Sequence, residues 1–146
     1  MPTPMRFEER VEVRRTPAQC FAFVDDFANA PRWNELCVAL QREGSDVREG
    51  GGLIYTYKQG ARTGTMNGLV VEREPGKRLL LSFSDANFAI EVGFRFEAIP
   101  GGTRIEHTLE LEPRSFLTRL LSPLLKGQMR KQTASQARAL AAALEG

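Results

Sequence analysis

The chain is poor in the residues that most often carry chemistry: one histidine, one tryptophan and two cysteines among 146 residues. A single histidine and two well-separated cysteines give no zinc-ligand spacing, so no metal site is expected. Cys20 and Cys37 do not make a disulfide framework. Both stand among apolar residues and read as buried thiols that behave as small hydrophobes. No apolar run reaches the roughly 18 residues of a membrane-crossing helix, so no integral membrane segment is expected. The N-terminal MPTPMRFEER has no hydrophobic signal region, which points to the cytoplasm. The formal net charge of +2 is small, and outside the C-terminal segment basic residues are interleaved with acidic ones. Nucleic acid is therefore not an expected partner. No serine lies in a G-x-S-x-G context, and Gly50-Gly51-Gly52 precedes a strand rather than a helix, unlike a phosphate-binding loop. No cofactor is expected.

What is present suits one globular domain, residues 1–146, with a real core: 42% of the residues are hydrophobic and 26% charged. Residues 5 to 14 alternate. Phe7, Glu9, Val11 and Val13 share one face, and Arg6, Glu8, Arg10, Glu12 and Arg14 the other, which predicts a half-buried strand. Thr16-Pro17 reads as a helix cap with proline at the first helical position. Cys20, Phe23, Val24 and Phe27 follow at helical spacing. Asn29, Pro31 and Asn34 then break the pattern, leaving a second short helical turn that ends on Trp33.

From Leu36 the period drops to two. Strands are expected near 36–43, 52–59, 63–74, 78–84, 88–99 and 102–112, separated by the turn signals Gly50-Gly51-Gly52, Gly60, Pro75-Gly76 and Pro100-Gly101-Gly102. This spacing predicts one curved antiparallel meander. After Pro113 the pattern returns to helix: a short first part, then a long helix from about 122 to 144 with Met129, Thr133, Ala137, Leu140 and Leu144 on one stripe. The order is strand, two short helices, six strands, long helix. One helix about 10–12 Å across is too slim to fill the hollow of a seven-stranded sheet. An internal, mostly apolar cavity is expected between them, widened by small residues at Thr133, Ala137 and Ala141.

Four stretches carry a family resemblance: VEVRRTPAQCFAFVDDFANAPRW at 11–33, VEREPGKRL at 71–79, GGTRIEHTLEL at 101–111 and LAAALE at 140–145. Together they cover nearly the whole chain, which resembles the START-like (SRPBCC) superfamily and most of all its polyketide cyclase/dehydrase branch. The resemblance implies an α+β helix-grip fold: a seven-stranded curved antiparallel sheet wrapped on a long C-terminal helix, with two short helices after the first strand. It also implies a ligand cavity with Trp33 near the mouth. The superfamily includes aromatase/cyclases, lipid and sterol carriers, hormone receptors and chaperone activators, and no catalytic motif of fixed spacing defines it.

Several side chains are candidates for that cavity. Trp33 sits beside Pro31, Arg32 and Asn34, so an edge position is expected, with one face dry and an N–H in need of a partner. His107 falls on an apolar face between Ile105 and Leu109. It reads either as a proton-transfer group or as a core histidine tied to a backbone carbonyl or a neighbouring side chain. Glu9 also faces inward. Deep in the core it would be a second acid–base candidate; at the wet end of the strand it is simply solvated. Tyr55 and Tyr57 share one face, inward to orient a ligand or outward as a surface stripe. Phe94 belongs to the expected apolar wall. Thr133 and Ala137 stand on the helix above it, with Gln136 a further polar candidate and close packing the alternative role for Thr133.

Three functions from different classes follow. The first is a module that binds a hydrophobic or aromatic small molecule under the C-terminal helix. The second is a cyclase/dehydrase-type enzyme in which His107, Glu9 or a tyrosine moves protons. The third is an interaction protein that presents the cavity mouth or the basic helix to a partner. A homodimer stays open.

Overall fold

Thr16 starts the first helix by a reciprocal cap. Its hydroxyl accepts the Gln19 backbone N–H at 3.1 Å, and the Gln19 side-chain oxygen accepts the Thr16 backbone N–H at 2.9 Å. Pro17 occupies the first helical position, where its missing N–H costs nothing. The computed structural model that contains this cap describes residues 5–44 and 49–145. Strand β1 (Met5–Val13) leads to helix α1 (Pro17–Asp25), a 3-10 turn (Phe27–Asn29) and the short helix α2 (Ala30–Trp33). Six strands follow: β2 (Cys37–Arg42), β3 (Gly52–Gln59), β4 (Arg62–Glu74), β5 (Arg78–Ser84), β6 (Phe88–Ile99) and β7 (Gly102–Pro113). Helices α3 (Phe116–Leu120) and α4 (Ser122–Glu145) close the order.

All seven strands form one antiparallel sheet in the order β1-β7-β6-β5-β4-β3-β2. Chain neighbours are sheet neighbours except at β1, which pairs with β7. The β4–β5 and β6–β7 hairpins turn on glycine, whereas β5–β6 turns on Asp85, whose side chain accepts the Asn87 and Phe88 backbone N–H groups. Gly76 and Gly101 take φ of 76° and 82°, a left-handed conformation that a side chain disfavours. The fold and the strand positions are those the period-two pattern predicts. The second helical start at Ser122 is also found, with α3 as the expected short first part.

One face of the sheet is the core. Along β7, Thr103, Ile105, His107, Leu109 and Leu111 are buried while their neighbours are not. Phe94, Phe96 and Leu140 join them. Helix α4 packs on β1, burying Thr133, Ala137, Leu140 and Leu144. Its C-terminal end is clasped to the start of the chain. The Glu145 carboxylate accepts the Arg14 backbone N–H at 2.7 Å, and Arg15 Nε donates to the Leu144 carbonyl at 2.8 Å. Among the described residues no helix is long and apolar enough to cross a membrane.

A half-buried ion cluster fixes the end of α1 against the sheet. Asp25 holds Arg73 from β4 by two bonds of 3.0 and 2.8 Å, and Arg42 from β2 at 2.9 Å. Burial alone would raise the Asp25 carboxyl, but the hydrogen bonds and charges of the two guanidiniums overcome it and leave its pKa below the ordinary value. The guanidiniums also stack, Arg42 over Phe27 at 4.2 Å and Arg73 over Phe21 at 5.3 Å.

Candidate ligand cleft beneath the C-terminal helix

Because α4 covers β1 and β7, its first half leaves the middle of the sheet uncovered. In place of the expected internal cavity, an open cleft of about 460 Å³ lies there, because the helix does not reach across the sheet to close it. Its floor is apolar: Met66, Phe83, Ile90, Val92, Leu109 and Leu111 reach it from β4, β5, β6 and β7. Trp33, Asn34 and Leu36 wall one side, and Leu125 and Met129 of α4 the other. The one charged side chain along the described wall is Lys58, which is exposed at the rim.

The polar groups of the wall are neutral. Tyr55 and Tyr57 point inward from β3, which settles the direction that the preceding glycine run leaves open in the sequence. Tyr55 Oη accepts a bond from Asn34 Nδ2 at 3.2 Å, and Asn34 Oδ1 caps the Leu36 backbone N–H at 3.1 Å. The phenol thus anchors the turn after α2. Burial pushes its pKa up to about 12 against the opposing effect of Asn34, so the hydroxyl stays protonated. Tyr57 lies flat across Gly64 of β4, the residue opposite it in the ladder. Gln128, Gln132 and Gln136 recur every fourth position of α4 and line the cleft as one stripe. That spacing is the sequence signal for the helical wall, and an apolar-stripe reading passes over it.

His107 stands one layer behind this wall. Its ring stacks on Phe94 at 4.8 Å and meets Trp33 edge-on at 6.2 Å. Nδ1 lies 3.3 Å from the Gly93 carbonyl and Nε2 lies 3.1 Å from the Gln136 side-chain oxygen. Burial pulls its pKa below the ordinary value, against both hydrogen bonds, so the ring is neutral near pH 7. A neutral ring has one N–H and here faces two oxygens. Half a turn of the Gln136 amide would satisfy both ring nitrogens: Nδ1–H donates to Gly93 and the amide NH₂ donates to Nε2.

The expected site residues therefore divide. Trp33, Tyr55 and Tyr57 border the cleft. Phe94, His107, Thr133 and Ala137 are packed behind its wall. Thr133 and Ala137 are small, and they let α4 approach β1 closely, so they narrow the space at that point instead of widening it. The Thr133 hydroxyl donates to its own helix, to the Met129 carbonyl at 2.7 Å. Glu9 lies on the inner face of β1 directly opposite His107 in the ladder, half-buried and away from the cleft. Asn67, Ser82 and Ser84 face outward, as the burial of Met66, Leu81 and Phe83 requires. The indole N–H of Trp33 is buried with no hydrogen-bond partner. Cys20 and Cys37 are buried free thiols; burial raises both, Cys37 to about 11, which leaves them unreactive. Among the described residues no cluster of three or more His, Cys, Asp or Glu could hold a metal ion.

A second hollow, of about 410 Å³, lies on the outer face of the sheet. Two of its three arginines are paired with glutamates, Arg6 with Glu110 at 2.9 Å and Arg78 with Glu74 at 3.2 Å. That surface is a solvated charge lattice.

Comparison with known proteins places this architecture. The sequence pattern of a family described as "Polyketide cyclase / dehydrase and lipid transport" matches residues 4–145. No curated protein matches the chain. Among solved structures, the ZhuI aromatase/cyclase from Streptomyces sp. R1128 superposes with a TM-score of 0.81 at 8% identity, covering 98% of this chain and 94% of that one. A START superfamily protein from Mycobacterium smegmatis gives 0.76 at 18% identity, covering 96% and 97%. A protein from Thermus thermophilus gives 0.76 at 14% identity, covering 92% and 93%. At these identities the likeness shows the fold alone.

Proposed function

The chain belongs to the polyketide cyclase / dehydrase and lipid transport family, and on that footing we propose that it binds a hydrophobic or aromatic small molecule in the cleft beneath α4. The observation that carries this reading is the wall itself. It is apolar, it is bordered by neutral hydrogen-bonding groups, and among the described residues it carries no charge except Lys58 at the rim. Burying apolar ligand surface there contributes about 25 cal/mol per Å², and Tyr55 and the glutamine stripe can orient a carbonyl or hydroxyl. The protein acts as one domain in the cytoplasm.

The test has two arms. Native mass spectrometry of protein purified from its source should reveal a co-purifying small molecule. Titration with the uncharged apolar dye N-phenyl-1-naphthylamine should change Trp33 fluorescence, and Gln132→Phe, which fills the cleft from α4, should suppress that change in a folded protein. Dye binding unaltered by Gln132→Phe would remove the cleft as the site.

A cyclase/dehydrase activity is the second reading. It is favoured by one observation: Gln136 touches both the cleft and the neutral His107 ring. Catalysis would need that ring to meet substrate as a proton-transfer group. Turnover of a polyketide substrate by the wild type and not by His107→Gln would replace the first reading with this one.

A further inference from the structure

Helix α3 is built with its amphipathicity inverted. Its threonine is the buried residue: Thr118 Oγ1 donates to the Asn87 carbonyl at 3.2 Å, and the Ser115 hydroxyl accepts the Thr118 backbone N–H. The Arg114 backbone N–H donates to the same Asn87 carbonyl at 2.7 Å. These bonds lock α3 onto the β5–β6 turn and hold its apolar side chains outward. Phe116 is 82% exposed, and Leu117, Leu120 and Leu124 are each more than 60% exposed. None of them lines the cleft, whereas Leu125 and Gln128, one turn on, do.

The charge along α3 and α4 as far as Leu144 has one sign, the acids nearest in the chain or the fold being Asp85 of the β5–β6 turn and Glu112 at the end of β7. Residues 113–144 contain six of the 20 cations of the chain and none of its 18 acids, so the remainder carries a net charge of −4. Arg119, Lys126, Arg130 and Lys131 are exposed beside the patch, and among the described residues none of them pairs with a carboxylate. On the outer sheet face, by contrast, Arg6, Arg10, Arg78 and Arg104 each pair with a glutamate.

We propose that the α3–α4 corner is a docking face for an anionic lipid surface. Exposed Phe and Leu tips flanked by Arg and Lys are what an interfacial helix presents: the tips enter the acyl boundary and the cations meet phosphate headgroups. A second copy of the chain fits less well, because joining this patch to itself would bring like charges together. The side chains also project instead of forming a groove for a peptide. Docking in this way sets the cleft mouth against the membrane, and it does not depend on what the cleft holds.

Flotation with vesicles tests the proposal. The protein should associate with phosphatidylcholine vesicles containing about 30 mol% phosphatidylglycerol at about 0.15 M salt, and detach as salt rises. Pure phosphatidylcholine should bind it at least about tenfold more weakly. Leu120→Ser with Leu124→Ser, and separately Lys126→Glu with Arg130→Glu, should each cut association at least about tenfold. Both pairs alter exposed positions, so circular dichroism and dye binding to the cleft should stay as in the wild type. Absence of wild-type association, or association that survives both double variants, would overturn the proposal. A concentration-dependent dimer that Leu120→Ser with Leu124→Ser dissolves, without vesicle binding, would overturn it in favour of a second copy.

Discussion

Gln136 separates His107 from the cleft, with its side-chain amide 3.1 Å from ring Nε2 and its own flank on the cleft wall. The single histidine is therefore coupled to the cleft through one neutral hydrogen bond. Replacing Gln136 with leucine keeps the volume and leaves Nε2 buried without a partner. Urea denaturation should show Gln136→Leu destabilised by about 1–3 kcal/mol. A variant as stable as the wild type would mean the bond contributes nothing.

The neutral state of His107 gives the fold a pH dependence. The folded pKa is depressed below the unfolded value of about 6.5. Between the two the unfolded chain binds more protons, so stability is full above about pH 6.5 and declines as pH falls toward the folded pKa. Urea melts at about pH 7.5 and pH 5.5 should show a larger loss for the wild type than for His107→Gln. Equal losses would show that the ring ionises alike in both states.

The Asp25 cluster should behave as a clamp. Asp25→Asn leaves two guanidiniums, Arg42 and Arg73, mostly buried without a countercharge. The expected cost is about 2–3 kcal/mol, less than for a fully buried pair because part of each side chain is wet. Thermal denaturation of the single variant and of Asp25→Asn with Arg73→Met tests this. The second change should restore part of the loss, and full additivity of the two costs would contradict the clamp.

Tyr55 and Tyr57 are the two tyrosines of the chain, so phenolate absorbance reads them directly. Tyr55 should ionise at about 12, and Tyr55→Phe should abolish that late step. Loss of the late step, with Tyr55 ionising near about 10, would place its hydroxyl in water.

Gly64 is the support on which the Tyr57 ring rests. A Cβ there would stand 2.6 Å from the ring's Cζ and Oη, so Gly64→Ala must push the ring aside. Because the far end of a side chain can move, the fold should survive, with dye affinity at the cleft reduced at least about threefold. Unchanged affinity would show that the position of Tyr57 is irrelevant to the cleft.

Much of this molecule is legible in its residues. Strict alternation at 103–111 gives both the strand and its buried face, because a period of two assigns each side chain to a side. The cap Thr16-Pro17 reads just as directly. What alternation cannot carry is a change of register. Bulges at Cys37/Ala39 and Val70/Glu72 shift the partner strand, and neither has a mark in the sequence. The Asp25, Arg42 and Arg73 cluster is equally silent, since its members meet only after three elements have docked. Small residues on α4 suggest space, yet small residues also permit close approach, and packing decides between the two.

The edge position of β1 has a kinetic meaning. Strands β3 to β7 each pair with their predecessor in the chain, whereas β1 pairs Met5 with Leu111 across most of the sequence. Closing so long a loop costs more entropy than any hairpin, and its reward arrives only when β7 already exists. The meander is thus the nucleus-forming part and β1 the late-arriving strand, which docks together with the α4 end that Arg14 and Arg15 clasp. Weakening the β1–β7 ladder should then leave the refolding rate nearly untouched and accelerate unfolding, so the lifetime of the folded protein is governed at this one seam.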